Sequence, residues 1–135
     1  SKLKFICAKC EELPFKNNTF DYVFVSFGLR NFSDKKKSLL EITRILKKNG
    51  KFLCLEFSEI NNPLIRKLFY FYSKIIPIYG KVIANNKEAY NYLIRSIKSF
   101  PNQIKLTKML LAAGFKKVDV TDILGGLASI HIAKK

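Results

Sequence analysis

A chain of 135 residues, 48% of them hydrophobic, is long enough for one domain with a buried core, as expected of a globular protein. Its formal net charge of +15 comes from lysines scattered along the sequence. This favours a basic, solvated surface and leaves attraction to an anionic membrane or a nucleic acid as the alternative. Three cysteines, an odd number, exclude a fully paired disulfide framework.

Two apolar runs near the start predict strands. Lys4–Ala8 is short, whereas Phe20–Phe27 follows a turn at residues 16–19 and is rich in β-branched and aromatic residues. Gly28 ends this second run. Ligands bind at the carboxyl ends of strands in open α/β sheets, so a site in this chain is expected to include residues 26–31.

The next segment predicts a helix followed by another strand. Asp34 is a good N-cap, apolar residues then recur at helical spacing, and Asn49-Gly50 supplies a left-handed stop. Lys51–Phe57 predicts a buried strand. A strand-helix-strand crossover implies parallel pairing, so residues 26–31 and 56–59 are expected at the same edge of the sheet.

Residues 62–100 show a different pattern. Leu64–Ile78 is apolar on all sides, which is typical of a helix that is fully buried or that contacts an apolar partner. Charged residues and Pro77 interrupt this stretch, which is too short to span a bilayer. A second helix is predicted at Lys87–Lys98. We expect residues 62–100 to form a helical lid on one domain rather than a second domain.

The end of the chain predicts a helix and a hairpin. Pro101 suits the first turn of a helix that runs to Ala113. Val118 and Val120 then alternate with polar residues, the tight turn Gly125-Gly126 follows, and residues 127–133 return as an antiparallel strand.

Cys7 and Cys10 have the CxxC spacing of a zinc half-site or a redox pair. His131 is the only histidine, and no second Cys or His pair completes a zinc site. A redox pair would open a helix, but residues 11–14 do not continue as one. Free thiols near a strand end are therefore the favoured interpretation.

Four segments of the chain carry a resemblance to a known family, and FGLRN and LEFS are their most specific pieces. The segments are AKCEELPFKNNTFDYVFVSFGLRNFSD, LLEITRILKKNGKFLCLEFS, YNYLIRSIKSFPNQ and MLLAAGFKKV. They resemble the UbiE/MenG family of S-adenosylmethionine-dependent quinone C-methyltransferases. The resemblance implies an α/β fold: the carboxyl-terminal part of a class I, Rossmann-like methyltransferase, with parallel strands, a helical lid and a terminal antiparallel hairpin. It implies a single partial domain over residues 1–135 that lacks the amino-terminal cofactor motif.

The resemblance also implies a reaction, transfer of a methyl group to a ring carbon of a polyprenylated quinol in ubiquinone or menaquinone synthesis. The substrate would be 2-polyprenyl-6-methoxy-1,4-benzoquinol or demethylmenaquinol. Such a protein must hold the two reacting atoms in line, exclude water and help a quinol hydroxyl lose its proton.

Three residues are assigned by the resemblance to the cofactor S-adenosylmethionine. Lys9 and Cys10 stand where the family contacts adenine. A lysine carries only donors, so it cannot accept a hydrogen bond from the adenine amino group as the family's usual carboxylate or amide does. Ser26 matches a position beside the methionine part of the cofactor, and a hydroxyl bonded to nearby backbone is the alternative.

The resemblance places Arg30 opposite the quinol, where its guanidinium would steady a developing phenolate or orient a water that acts as base. A solvated or salt-bridged arginine is the alternative. His131 matches a histidine of the family's terminal strand and would relay a proton, although a lone histidine on such a strand is more often structural. Glu56 is interpreted as a partner of Arg30 or as a buried, paired carboxylate.

Three further residues are expected to contact the substrate. Asn31 is a companion of Arg30, and Tyr92 and Phe100 are expected to line the pocket, with packing in the core as the alternative interpretation. The six glycines, at positions 28, 50, 80, 114, 125 and 126, do not form the glycine-rich turn that this class of cofactor site needs. We therefore expect that this chain does not methylate a quinol unaided.

The alternative function is a methyltransferase-like remnant that acts as a binding or scaffold subunit of a quinone-synthesis complex. The expected partners are the polyprenylated quinol, such a complex, an anionic membrane surface or a second copy in a homodimer. Nucleic-acid binding depends on charge alone and is disfavoured. The expected location is the matrix side of the mitochondrial inner membrane, or a bacterial cytoplasm.

Overall fold

A computed structural model describes residues 3–72 and 87–135 of the chain. The strands are β1 (Phe20–Ser26), β2 (Leu46–Phe57), β3 (Lys117–Ile123) and β4 (Ala128–Lys134). The helices are α1 (Lys35–Ile45), α2 (residues 63–72), α3 (Lys87–Ser99) and α4 (Gln103–Ala112).

The four strands form one sheet in the order β1-β2-β4-β3. β1 and β2 are parallel, whereas β4 is antiparallel to both β2 and β3. The predicted parallel pair and the predicted terminal hairpin are therefore confirmed. The hairpin does not stand apart, because β4 inserts between β2 and β3 and joins both halves of the sheet.

The predicted helix after Asp34 is confirmed, and its physical cause is visible. The Asp34 carboxylate accepts a hydrogen bond from the Lys37 backbone N–H at 2.9 Å, which satisfies one of the free donors of the first turn. Leu39 and Ile42 lie on the buried side, which is the stripe that the apolar spacing predicts.

We expected Asn49-Gly50 to end this helix, but the two residues instead form part of a bulge in β2. α1 already ends at Ile45, and the pairing of β1 with β2 shifts between Phe20 and Tyr22. Asn49 does have a positive φ of 65°. A side chain at Gly50 would lie 2.9 Å from the Lys47 carbonyl oxygen, so the turn requires glycine there for reasons of space.

The predicted first strand, Lys4–Ala8, is wrong. These residues have no regular secondary structure, and the Phe5 side chain is 91% exposed. A strand needs a neighbour for its backbone hydrogen bonds, and none of the four strands described above pairs with this segment.

The turn segment ahead of β1 is attached to α1 through Arg44. Its guanidinium donates to the Leu13 carbonyl at 3.0 Å and to the Phe15 carbonyl at 2.7 Å. Glu41 accepts from Arg44 Nε at 2.7 Å and from the Leu13 backbone N–H at 2.9 Å. Paired cationic and anionic groups therefore hold an extended loop that has no ladder of its own.

The two remaining helix predictions are confirmed with small changes. α3 covers the predicted Lys87–Lys98, and α4 begins at Gln103, two residues after Pro101, because Asn102 is its N-cap. The expected lid therefore includes the described helices α2 and α3. The predicted helix end near Pro77 lies outside the described residues.

The buried core lies between one face of the sheet and the helices α1 and α4. Phe52, Cys54 and Ala133 of the sheet pack in one cluster with Leu39 of α1 and Leu106 of α4. Side chains alternate between the two faces of a strand, so both helices cover the same face.

Candidate functional site

The parallel pairing of β1 and β2 brings the ends of both strands to one edge, as predicted. Ser26 is paired with Leu55, and the chain beyond β1 turns back so that Arg30 lies against Glu56. The Arg30 Nη1 atom is 2.9 Å from Glu56 Oε1, and the Arg30 backbone N–H donates to Glu56 Oε2 at 3.2 Å. Both interpretations of Glu56 therefore hold, because it is a buried, paired carboxylate and its partner is Arg30.

Glu56 is the most enclosed charge of the site. Its side chain is 0% exposed, and it also accepts a hydrogen bond from the Phe57 backbone N–H at 3.0 Å. Burying a carboxylate is costly unless it is paired and hydrogen-bonded, and here three donor groups surround it. Removal of either charge would leave the other buried without an ionic partner.

Arg30 is held on further sides. Nη1 also donates to the Phe27 carbonyl oxygen, and the guanidinium lies 5.5 Å from the centre of the Phe57 ring in a cation–π contact. Its side chain is 12% exposed, and within residues 3–72 and 87–135 its buried Nε has no hydrogen-bond partner. Phe27 has a φ of 50°, an uncommon conformation for an aromatic residue, which is a mark of functional sites.

Two of the expected substrate residues meet each other. The Tyr92 hydroxyl of α3 donates to Asn31 Oδ1 at 2.9 Å, which ties the expected lid to the 3₁₀ turn Leu29–Asn31. Both side chains are largely exposed, so a ligand can reach them. The Tyr92 bond takes the amide oxygen, and the Asn31 amide nitrogen donates to none of the residues in the described ranges, so it is available as a donor.

A cavity of about 500 Å³ lies between the loop after β2, the helices α2 and α3, and the start of α4. Its lining includes the apolar side chains of Ile60, Phe69, Ile97 and Phe100 and the cationic side chains of Arg66, Lys98 and Lys105. Phe100, expected to line a substrate pocket, therefore lines this cavity and also packs against the core.

The structure places His131 in the core beneath α4. It is 0% exposed, its Nε2 donates to the Gln103 carbonyl at 3.2 Å, and its Nδ1 lies 3.5 Å from the Ser129 hydroxyl. Burial lowers the pKa of His131, against the effects of the Gln103 hydrogen bond and the Asp122 charge. No described contact joins it to Arg30, so its role as a proton relay stays a prediction.

The three expected cofactor residues are spread over the start of the chain and the end of β1. Lys9 is exposed, and its carbonyl accepts a hydrogen bond from the Glu12 backbone N–H at 3.1 Å. Cys10 is half-buried against the core, where burial raises the pKa of its thiol despite a hydrogen bond with Ser38. Ser26 is exposed at the carboxyl end of β1. Only Ser26 lies close in sequence to Arg30 and Asn31.

The cysteines are free thiols, as favoured by the sequence. Cys7 is exposed, whereas burial raises the pKa of the Cys54 thiol to about 12. Across the two described ranges no group of three or more potential metal ligands comes together. The described helices also include none long and apolar enough to cross a membrane.

Sequence reasoning missed a polar network that joins α4 to the loop after β2. Asn102 Nδ2 donates to Glu59 Oε2 at 2.8 Å, and Gln103 Nε2 donates to the Glu59 carbonyl at 3.1 Å. Gln103 and Asn61 each donate to one oxygen of Asp122. An asparagine just before an apolar helical pattern was the available signal for Asn102, but the other partners depend on tertiary contacts.

Comparison with solved structures supports the fold. A structure of an S-adenosylmethionine-dependent methyltransferase from Thermotoga maritima matches with a TM-score of 0.66 and 20% identity, over 95% of this chain and 62% of that one. Phosphoethanolamine N-methyltransferase 2 of Haemonchus contortus, in complex with S-adenosyl-L-methionine, matches with a TM-score of 0.56 and 21% identity, over 87% of this chain and 22% of that one. These likenesses establish a class I methyltransferase fold.

Comparison of sequences establishes the family. The ubiquinone/menaquinone biosynthesis C-methyltransferase UbiE of Rickettsia bellii is 47% identical over 134 residues, which are 98% of this chain and 54% of that protein. The protein of the same name from Rickettsia typhi is 48% identical over equal shares. The chain thus spans about half the length of these relatives. The model of the ubiE/COQ5 methyltransferase family matches residues 1–135, and the chain belongs to that family.

Proposed function

We propose that this chain provides the quinol-binding side of an S-adenosylmethionine-dependent enzyme that methylates a ring carbon of a polyprenylated quinol. The observation that carries the proposal is the buried Arg30–Glu56 pair, which fixes a guanidinium beside the end of β1. The names of the Rickettsia relatives, ubiquinone/menaquinone biosynthesis C-methyltransferases, support the substrate class. The candidate substrates are 2-polyprenyl-6-methoxy-1,4-benzoquinol and demethylmenaquinol.

Arg30 would stabilise the oxygen anion of the quinol. A ring carbon becomes a stronger nucleophile when the neighbouring hydroxyl loses its proton, and a fixed cation favours the resulting phenolate. Because Glu56 and the Phe57 ring already hold the guanidinium in place, little reorganisation is needed when that charge develops.

Asn31 and Tyr92 would orient the quinol. The bond from Tyr92 to the Asn31 amide oxygen orients the amide, so that its nitrogen would donate to a quinol oxygen. The cavity of about 500 Å³ near Phe100 offers apolar side chains to a prenyl tail, and its cationic side chains would attract anionic lipid headgroups.

The residues of this chain fit S-adenosylmethionine in part. Ser26, exposed at the end of β1, would hold the methionine part, whereas Lys9 cannot accept from the adenine amino group and its carbonyl is already bonded to Glu12. When bound, this cofactor supplies an electrophilic methyl group. The Lys9 position therefore weakens the adenine contact, and further contacts must come from outside these 135 residues.

The basic charge of the chain bears on where the enzyme would act. A net charge of +15 would draw the protein to an anionic membrane, where a prenylated substrate resides. We propose peripheral attachment, at the matrix side of a mitochondrial inner membrane or in a bacterial cytoplasm, and participation in a quinone-synthesis complex.

The test is a chimera of the Rickettsia bellii relative in which this chain replaces the matching half. Transfer of a radiolabelled methyl group from S-adenosylmethionine to each of the two quinols is measured. We expect transfer to one of them, and a loss of about 10²-fold in kcat for Arg30→Lys, because lysine keeps a charge but lacks the planar guanidinium that Glu56 aligns. Arg95→Lys, an exposed change on α3, is the matched control and should leave the rate unchanged.

Two outcomes would contradict the proposal. If the folded chimera binds S-adenosylmethionine but methylates neither quinol, the substrate class is wrong and the scaffold function becomes the better conclusion. If Arg30→Lys and Arg95→Lys have equal effects, the role given to Arg30 is wrong.

A further inference from the structure

The tight turn Gly125-Gly126 of the terminal hairpin lies against the loop that joins β2 to α2, residues 58–62. The backbone N–H groups of Asn61 and Asn62 both donate to the Gly125 carbonyl, at 3.0 and 3.2 Å. A hairpin turn needs no such bonds to a distant loop for its own formation. The turn therefore has a second role, which is to hold this loop.

The contact leaves no room for a side chain on the turn. Gly125 has a φ of 63°, a conformation that asparagine also tolerates in ordinary turns. A Cβ atom at Gly125, however, would lie 2.9 Å from Asn62 Cβ and 2.7 Å from Ile65 Cδ1. At Gly126 it would lie 2.5 Å from the Glu59 carbonyl oxygen. Because Cβ atoms do not come this close to other atoms, the fit of the loop against the turn requires glycine at both positions.

The same loop begins the helix α2. The Asn62 side-chain oxygen accepts hydrogen bonds from the backbone N–H groups of Leu64 and Ile65, at 2.9 and 3.2 Å, so Asn62 is the N-cap of α2. The backbone N–H of Asn62 donates to Gly125. The residue that caps the helix is therefore bonded to the turn, and the placement of α2 depends on that bond.

The helix α4 holds the opposite side of the loop. Asn102 and Gln103 both donate to Glu59. His131, beneath α4, in turn donates to the Gln103 carbonyl. Residues 58–60 of the loop line the cavity of about 500 Å³ together with side chains of α2. A shift of the loop would therefore change the shape of this cavity.

We propose that the turn Gly125-Gly126 positions the start of α2 and thereby shapes the cavity for the prenyl tail of the quinol. The two glycines are positioning residues that act through Asn62 and Glu59, since neither glycine lines the cavity. The effect on the tail rests on the proposed function, whereas the hold on α2 does not. The tail lies away from the reacting carbon, so a poorer fit of the tail raises KM and leaves kcat unchanged.

The test is Gly125→Ala in the chimera with the Rickettsia bellii relative. Hydrogen exchange, measured without cofactor or quinol, reports the Asn62 amide and the Arg66 amide, which donates to the Asn62 carbonyl in the first turn of α2. We expect exchange at both amides to be about tenfold faster than in the parent chimera. In the methylation assay, KM for the prenylated quinol should rise about tenfold with kcat unchanged, and KM for the same quinol without its tail should not rise.

Gly114→Ala is the matched control. Gly114 also has a positive φ, of 101°, but a Cβ atom there would lie at an ordinary 3.5 Å from the nearest side chain, that of Thr43. This variant adds backbone strain without touching the loop, so exchange at the two amides and KM should not change. Addition of Ile65→Val to Gly125→Ala removes the Cδ1 atom and should restore part of both values.

A second variant, Gly125→Asn, is used if circular dichroism shows that Gly125→Ala does not fold. Asparagine adopts a positive φ with less strain and still adds a Cβ atom. Unchanged exchange at Asn62 and Arg66, an equal change in Gly114→Ala, or an equal rise in KM for the quinol without its tail would each overturn the proposal. If the chimera methylates neither quinol but exchange responds as expected, the proposed function is wrong and the positioning of α2 by the turn still holds.

Discussion

The two ends of the segment around β1 differ in how many contacts from the rest of this chain hold them in place. At the carboxyl end, Arg30 is enclosed by Glu56, the Phe57 ring and the Phe27 carbonyl. At the amino end, residues 3–9 are exposed and without regular structure. The side proposed to bind the quinol is therefore held within this chain, whereas the side proposed to bind the cofactor has few contacts within the chain.

The comparison also shows what fixes a side chain in place. Arg30 is held by groups from β2, an element that is itself in the core. Lys9 has a turn contact with Glu12, three residues away. A neighbouring strand thus holds the Arg30 side chain in place. Residues 3–9 have no such neighbouring strand in the described structure. Four experiments test this difference.

The largest effect is expected from Glu56→Gln. Loss of the negative charge leaves the Arg30 guanidinium buried without its ionic partner, and breaking such pairs costs about 3 kcal/mol or more of unfolding free energy. Urea denaturation followed by circular dichroism measures this. Glu12→Gln, at an exposed position, is the control and should change stability by less than about 0.5 kcal/mol. Equal effects would show that the carboxyl end is no better supported than the amino end.

Arg44→Met should have the second largest effect. It removes hydrogen bonds to the carbonyls of Leu13 and Phe15, at a cost of about 2 kcal/mol in unfolding free energy. Faster hydrogen exchange at the Leu13 amide, with no change in the β4 amides, would show that the effect is local. If the loop keeps its protection, Arg44 does not hold it.

Tyr92→Phe should affect function more than stability. The change deletes the hydroxyl that bonds Asn31, so we expect about a tenfold loss of kcat/KM in the chimera and an unfolding free energy within about 0.5 kcal/mol of the parent. Tyr72→Phe, at an exposed position of α2, is the matched control. An unchanged kcat/KM would remove Asn31 and Tyr92 from the proposed substrate contacts.

The smallest effect is a dependence of stability on pH. Hydrogen bonding by Arg44 lowers the pKa of Glu41 from 4.5 to about 2, so folding favours the ionised carboxylate. That contribution is complete above pH 4.5 and is lost as the pH falls from 4.5 towards 2. Glu41→Gln should show a flatter stability profile in this window. A profile as steep as that of the parent chain would contradict this assignment.

Local patterns predicted the elements better than their connections. The Asp34 cap, the α3 pattern and the alternating strands of the hairpin were all visible in the sequence, because each depends on residues a few positions apart. The Asn49-Gly50 turn was also visible, but its place inside β2 depends on pairing with β1. Lys4–Ala8 has the composition of a strand, but composition does not show whether another strand is present to accept its backbone hydrogen bonds.

The candidate site was predictable to the same degree. Residues 26–31 and 56–59 were expected at one edge, and the Arg30–Glu56 pair confirms this. The Glu41–Arg44 clamp and the network around Glu59 were not anticipated. Their partners lie up to 61 positions apart in sequence, and no local spacing marks such pairs.

The sequence by itself determined most of the strand and helix pattern, the basic charge and the resemblance to a family, because these are properties of neighbouring residues and of composition. Only the tertiary structure decided which charge faces Arg30 and that His131 is enclosed beneath α4. The physical reason is that burial and pairing arise when distant segments meet. Those contacts decide which polar groups are buried, and a buried polar group without a partner costs free energy.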